Sequence, residues 1–189
     1  MELIARSWFT LRHGFTQRDR LRQLLGSSGC PNITLMTLPE GDDIVLVLDF
    51  DGVLAPHGYT EPLPAVTLLL DKWLAHPSIR RIYILSNKPT RTREHYFARH
   101  HPAICFVSGV RKKPYPDSLI AITAAEGVAA HRLVVVDDRL LTGILAAVLA
   151  GTTAVHITNP YRDYSCKTCS EICFDLLRAV ERLLYLRLS

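Results

Sequence analysis

Two apolar runs in this sequence each end in a pair of carboxylates. Asp49 and Asp51 follow Ile44-Val45-Leu46-Val47-Leu48, and Asp137 and Asp138 follow Leu133-Val134-Val135-Val136. Aspartate is disfavoured inside strands, so such pairs at strand exits call for a reason beyond turn capping. Asp49 and Asp51 alternate along the chain, and a bend at Gly52 lets both reach one site. A carboxylate nucleophile beside a second carboxylate acting as acid and base suits phosphoryl transfer. Several carboxylates gathered together stay ionised only near a cation, and hard oxygen donors select Mg²⁺. Of Asp137 and Asp138, one can cap the helix that follows while the other remains for metal. Ser86 and Asn87 end the run Ile82-Tyr83-Ile84-Leu85 and offer short polar groups and backbone amides to phosphoryl oxygens. Lys112 and Lys113 lie in a loop before Pro114, where a lysine can neutralise phosphoryl charge.

These residues need a scaffold that brings several strand ends together. Short apolar runs at 44–48, 82–85, 104–107, 133–136 and 154–158 read as buried strands. Between them, helical spacing recurs at 66–74, 90–101, 116–126 and 141–150, with Pro77, Gly127 and Gly151 as stops. A further amphipathic helix is predicted at 172–186. Strands alternating with helices predict an α/β fold with a Rossmann-like parallel sheet and helices on both faces. In such sheets ligands bind at the carboxyl ends of strands, where the polar residues above fall. Residues 1–42 read differently, as a basic amphipathic helix and a loop ahead of a domain at 43–189. Such a helix suits packing on the domain or lying on a membrane surface.

The chain has 189 residues, 48% hydrophobic, with net charge +4, which excludes a disordered or low-complexity protein. The longest uninterrupted apolar stretch, 144–150, is far too short to span a bilayer. Glu2, Arg6 and Arg12 interrupt any signal-peptide core, so a cytoplasmic protein is expected. Five cysteines suit a reducing compartment rather than a disulfide framework. Cys166, Cys169 and Cys173 invite a zinc or iron–sulfur reading, with Cys30 or His156 as a fourth ligand. Helical spacing instead puts Cys169 and Cys173 with Leu176, Val180 and Leu184 on one apolar face, and no metal is expected there. From Arg80 to Lys113 there are nine basic residues and one acid, so an anionic partner is expected near that segment.

In order, Asp49-Phe50-Asp51-Gly52-Val53, Ile84-Leu85-Ser86-Asn87, Lys113-Pro114 and Val135-Val136-Asp137-Asp138 resemble the four motifs of the haloacid dehalogenase superfamily. Spacings of 37, 27 and 25 residues separate Asp49, Ser86, Lys113 and Asp138, and the likeness covers about residues 44–160. The resemblance implies a Mg²⁺-dependent phosphohydrolase that passes through an aspartyl phosphate. It implies Asp49 as nucleophile, Asp51 as general acid and base, and Ser86 and Lys113 on the phosphoryl group. Gly52 and Asn87 would help to bind that group. Asp49, the Asp51 carbonyl and Asp138 would hold the metal.

The stretches around 85–92, 112–119 and 134–152 are more closely similar to capless phosphatases that include phosphatidylglycerophosphate phosphatases. Two positions depart from the family's last motif. Asp137 stands where a glycine is usual, and Gly143 stands where a second acid is usual, so Asp137 is a candidate replacement ligand. Neither interval between motifs has room for a cap domain. An open site suits a phosphate displayed on something large, here a lipid at an anionic membrane surface, with Arg91 and Arg93 as its contacts. Nucleic acid is not an expected partner. The alternatives are a small soluble phosphate with a cap supplied by oligomerisation, and a non-catalytic binding module.

Overall fold

The protein was described from a computed structural model, in which residues 2–27 and 29–186 are placed. Its six strands are β1 (Gly29–Cys30), β2 (Ile44–Leu48), β3 (Ile79–Leu85), β4 (Ile104–Val107), β5 (Leu133–Asp137) and β6 (Thr153–Ile157). They form one sheet in the order β1-β6-β5-β2-β3-β4, and every pairing is parallel. All five residues of the central β2 are buried, as expected of a strand covered on both faces. Alternation along it feeds two cores. Ile44, Leu46 and Leu48 pack with Trp73 and Phe97, while Val45 and Val47 pack with Leu119 and Leu145. Each fully buried leucine or valine contributes roughly 2 kcal/mol of transfer free energy.

Among the described residues, seven α-helices lie around the sheet. On one face lie α3 (Pro64–Leu74), which begins on a proline at its first turn, and α4 (Arg91–His100). On the other lie α2 (Arg18–Ser27), α5 (Asp117–Glu126) and α6 (Leu145–Ala150). Gly127 and Gly151 close α5 and α6 in the left-handed conformation that glycine adopts without strain. Between β2 and β3 there is only a loop and α3, and between β3 and β4 only α4.

Three differences from the sequence expectation matter. The N-terminal segment forms two helices, α1 (Glu2–Thr16) and α2, and then β1, which joins the sheet edge beside β6. The expected helix at 141–150 is instead a π-helical turn, Leu140–Ile144, followed by α6. The last helix, α7 (Tyr164–Leu186), starts two turns early, because Asp163 Oδ1 accepts the Ser165 backbone N–H at 2.9 Å and caps it.

The orientation of α7 is unusual. Its buried side chains are Glu171, Arg178, Glu181 and Tyr185, whereas Ile172, Leu176, Val180, Leu183 and Leu184 are exposed. The polar stripe faces the sheet and the apolar stripe faces outward. Cys169 and Cys173 lie on the exposed side as free thiols; the Cys166 side chain falls outside the described residues.

Candidate active site

β2, β3 and β5 are neighbours and parallel, so their carboxyl ends deliver Asp49, Ser86 and the Asp137–Asp138 pair to one edge of the sheet. Asp49 is fixed by its backbone N–H, which donates to the Val136 carbonyl at 2.9 Å. Lys113 Nζ reaches in from the loop after β4 and bridges two carboxylates, Asp49 Oδ1 at 2.9 Å and Asp137 Oδ2 at 2.5 Å. One carboxylate oxygen from each of Asp49, Asp137 and Asp138 lies within 4.8 Å of the other two.

The loop carrying Asp51 closes through Gly52, whose N–H donates to the Ala55 carbonyl and whose φ is +83°. A Cβ at Gly52 would lie 2.7 Å from Asp138 Oδ2, so both conformation and space demand glycine there. Asp51 is held by the two-pronged guanidinium of Arg93, at 2.6 and 3.0 Å. The same guanidinium also donates to the Tyr59 and Lys88 carbonyls and lies over the Phe50 ring. Arg93 is thus buried and fully engaged, which corrects its expected role as an exposed lipid contact. Arg91, two residues earlier, is exposed.

The other predicted residues take distinct places. Ser86 is buried at the floor of the site, and its Oγ accepts the Lys88 N–H at 3.1 Å. The Asn87 side chain is bound at both ends to the Lys113 backbone, at 2.7 and 3.1 Å, so it clamps the lysine loop rather than presenting its amide to a phosphate. Arg80 and Arg81 lie at the opposite end of β3, and each pairs with Glu126. The basic surplus between 80 and 113 is therefore not one surface.

Three participants were not legible in the sequence. Arg178 of α7 pairs with Asp138 Oδ2 at 2.5 Å. Glu181, also of α7, pairs with Arg139 and accepts the Leu140 N–H at 3.0 Å. Glu171 accepts the His57 backbone N–H at 3.0 Å and meets the His57 ring at 3.1 Å. The two departures at 137 and 143 are explained together by space: an added Cβ at Gly143 would fall 1.9 Å from Asp137 Oδ2. The Asp137 carboxylate fills the space that a side chain at 143 would need. The paired exchange of glycine and acid at 137 and 143 was the available signal.

Electrostatics agree with a cation site. Burial pushes the Asp49 carboxyl up to about 8; Lys113 opposes this, while Asp137, Asp138 and Asp51 add to it. Burial likewise pushes Asp138 up to about 6, opposed mainly by Arg178. Burial would lower Lys113, but Asp137 and Asp49 outweigh it and raise its pKa. Three carboxylates converging here fit a hard divalent cation such as Mg²⁺, with Asp49, Asp137 and Asp138 to hold it. Among the described residues this is the one cluster of potential metal ligands, and it includes neither cysteine nor histidine.

The site forms the floor of a cleft of about 870 Å³. Arg6, Lys88 and Lys112 stand at its rim, and its walls carry Leu11 from α1 with Leu177, Val180 and Leu184 from α7. No helix among the described residues is long and apolar enough to cross a membrane.

A family model for haloacid dehalogenase-like hydrolases matches residues 12–151. No curated protein matches the sequence. Among solved structures, an uncharacterized protein from Listeria monocytogenes is 18% identical over 61% of this chain and 78% of its own, with a TM-score of 0.47. A HAD-superfamily hydrolase from Ehrlichia chaffeensis is 13% identical over 74% of this chain and 99% of its own, with a TM-score of 0.46. A protein described as a predicted phosphoglycolate phosphatase from Haemophilus somnus is 22% identical over 54% of this chain and 47% of its own, with a TM-score of 0.44. These likenesses are distant, and the family model is what assigns the chain.

Proposed function

The chain belongs to the haloacid dehalogenase-like hydrolase family, and from that premise we propose that it is a Mg²⁺-dependent phosphomonoesterase whose substrate is a phosphate carried by a lipid. The observation that carries the catalytic part is Lys113 Nζ shared between Asp49 and Asp137 at a floor of three converging carboxylates. Asp49 attacks phosphorus, forming a bond from its carboxylate oxygen as the ester oxygen departs. Asp51 gives its proton to that oxygen. It then takes a proton from the water that attacks phosphorus and frees Asp49. Lys113 and Ser86 hold the phosphoryl oxygens as charge builds on them. When bound by Asp49, Asp137 and Asp138, Mg²⁺ supplies charge neutralisation between nucleophile and phosphate. Arg93 is a positioning residue that aims the Asp51 carboxylate.

The lipid part of the reading rests on the cleft. Basic residues at the rim suit a phosphate, while the leucine and valine walls suit acyl chains. Phosphatidylglycerophosphate is the first candidate by motif resemblance. Purified protein with Mg²⁺ is expected to release phosphate from this lipid in detergent micelles faster than from sugar phosphates or nucleotides. The reverse preference would replace the lipid reading with a small soluble substrate.

A further inference from the structure

A surface helix of a water-exposed domain turns its apolar stripe inward. Helix α7 does the opposite. Its polar stripe is consumed by the site: Glu171 on His57, Arg178 on Asp138 and Glu181 on Arg139. These partners set the rotation of the helix, because releasing any one would leave a buried charge unpaired. The consequence is an outward stripe of Ile172, Leu176, Val180, Leu183 and Leu184. Helix α1 adds a second stripe, Ile4, Trp8, Leu11 and Phe15, with Trp8 69% and Phe15 71% exposed. The two helices come close where Gly14 meets the Tyr185 hydroxyl; an added Cβ would lie 2.7 Å from that oxygen.

We infer that the outward faces of α1 and α7 form a platform that seats in the interface of an anionic lipid layer, with the cleft mouth between them opening onto that layer. The inference rests on the lipid reading above and names the surface that delivers the substrate. Three observations select this occupant. The stripes are continuous with the cleft, since Leu11, Val180 and Leu184 belong to both. Exposed Arg12 on α1, with Arg6, Lys88 and Lys112 at the rim, gives the apolar face a basic border, the pattern of an interfacial helix. A protein partner covering both stripes would close the mouth against substrate, whereas a lipid layer supplies it.

The platform differs from the basic α4 surface suggested by charge counting, and the test separates the two. Full-length protein is sedimented with phosphatidylglycerol-containing vesicles and with pure phosphatidylcholine vesicles, and p-nitrophenyl phosphate hydrolysis is read in parallel. Wild type is expected to partition to the anionic vesicles. Trp8→Asp and Leu176→Asp, neither of which lines the cleft, are expected to weaken partition about tenfold each, with p-nitrophenyl phosphate turnover unchanged. Leu68→Asp on α3, also exposed in wild type, and Arg91→Glu are expected to change neither. Unaltered partition in Trp8→Asp and Leu176→Asp overturns the platform, as does loss on Arg91→Glu alone. A wild-type dimer that these substitutions convert to monomer, without vesicle binding, assigns the face to a second copy and also overturns it. Failure of wild type to hydrolyse the micellar lipid sinks the substrate reading instead, whatever the vesicles show.

Discussion

Helices α4 and α7 both carry charge toward the site, and they do so in opposite ways. α4 is polar by sequence, yet it packs conventionally: Phe97 enters the core, and one arginine, Arg93, turns in to Asp51. α7 is amphipathic by sequence and packs inverted, with Glu171, Arg178 and Glu181 inside. Counting charges along the chain favours α4 as the surface that meets an anionic partner. Pairing the charges in space shows instead that α4 has its key arginine buried, whereas α7 leaves its apolar stripe uncovered. The direction in which a helix faces is decided by what lies opposite it, here a carboxylate-rich strand edge that needs cations.

The predictions bear on that contrast between an inward arginine from each helix. The largest effect is expected at Asp49, the nucleophile that neither arginine touches and that Lys113 holds. Asp49→Asn should abolish phosphate release, at least a thousandfold, because an amide does not attack phosphorus; steady-state turnover with Mg²⁺ checks this. Arg178→Met removes the α7 contact to Asp138 and should cost about 3–5 kcal/mol of stability, measured by urea unfolding. Arg93→Met should instead fall mainly on kcat with p-nitrophenyl phosphate, about tenfold to a hundredfold, since it aims Asp51. If Arg93→Met and Arg178→Met behaved alike, the two helices would not play different parts.

A third pair sharpens the account at the strand ends. Gly143→Ala should displace the Asp137 carboxylate from Lys113 and weaken both turnover and Mg²⁺ affinity, measured by calorimetric titration. Asp137→Gly combined with Gly143→Asp should recover metal affinity that either change alone loses, because one carboxylate then refills one space. Non-additivity of this kind is read from the four-member cycle. Additive losses would mean that the two positions do not share the space.

A separate effect is a pH dependence of stability, outside the reaction. Burial lowers the His156 imidazole to about 4, while the unfolded chain keeps the usual value near 6.5. As pH falls through that window the unfolded state takes up the proton first. Stability is therefore complete above about 6.5 and declines toward 4, by ~3 kcal/mol from this group. Urea unfolding at pH 7 and pH 4.5 should show a shallower decline in His156→Gln than in wild type.

The strands and their terminal aspartates were legible because a buried strand is a short apolar run and an aspartate at its exit breaks that run. Leu48-Asp49 and Val136-Asp137 are such junctions. The turn at Leu140–Ile144 was not, since its π geometry follows from local contacts: Asp137 Oδ1 accepts the Arg139 N–H at 2.9 Å, and Gly143 yields space to the same carboxylate. The Arg93–Asp51 and Arg178–Asp138 pairs join residues about 40 apart, a separation that no periodicity encodes. The stripe of α7 was visible as a stripe, but periodicity does not say which side meets water.

The central claim is that Asp49 becomes phosphorylated. It is tested most directly in Asp51→Asn, where the activated water is lost but a good leaving group can still depart. Protein mixed with p-nitrophenyl phosphate and Mg²⁺, quenched with borohydride and digested, should yield a peptide carrying homoserine at position 49, because borohydride reduces an aspartyl phosphate. Unmodified Asp49 in that peptide, together with undiminished turnover in Asp49→Asn, would contradict the account.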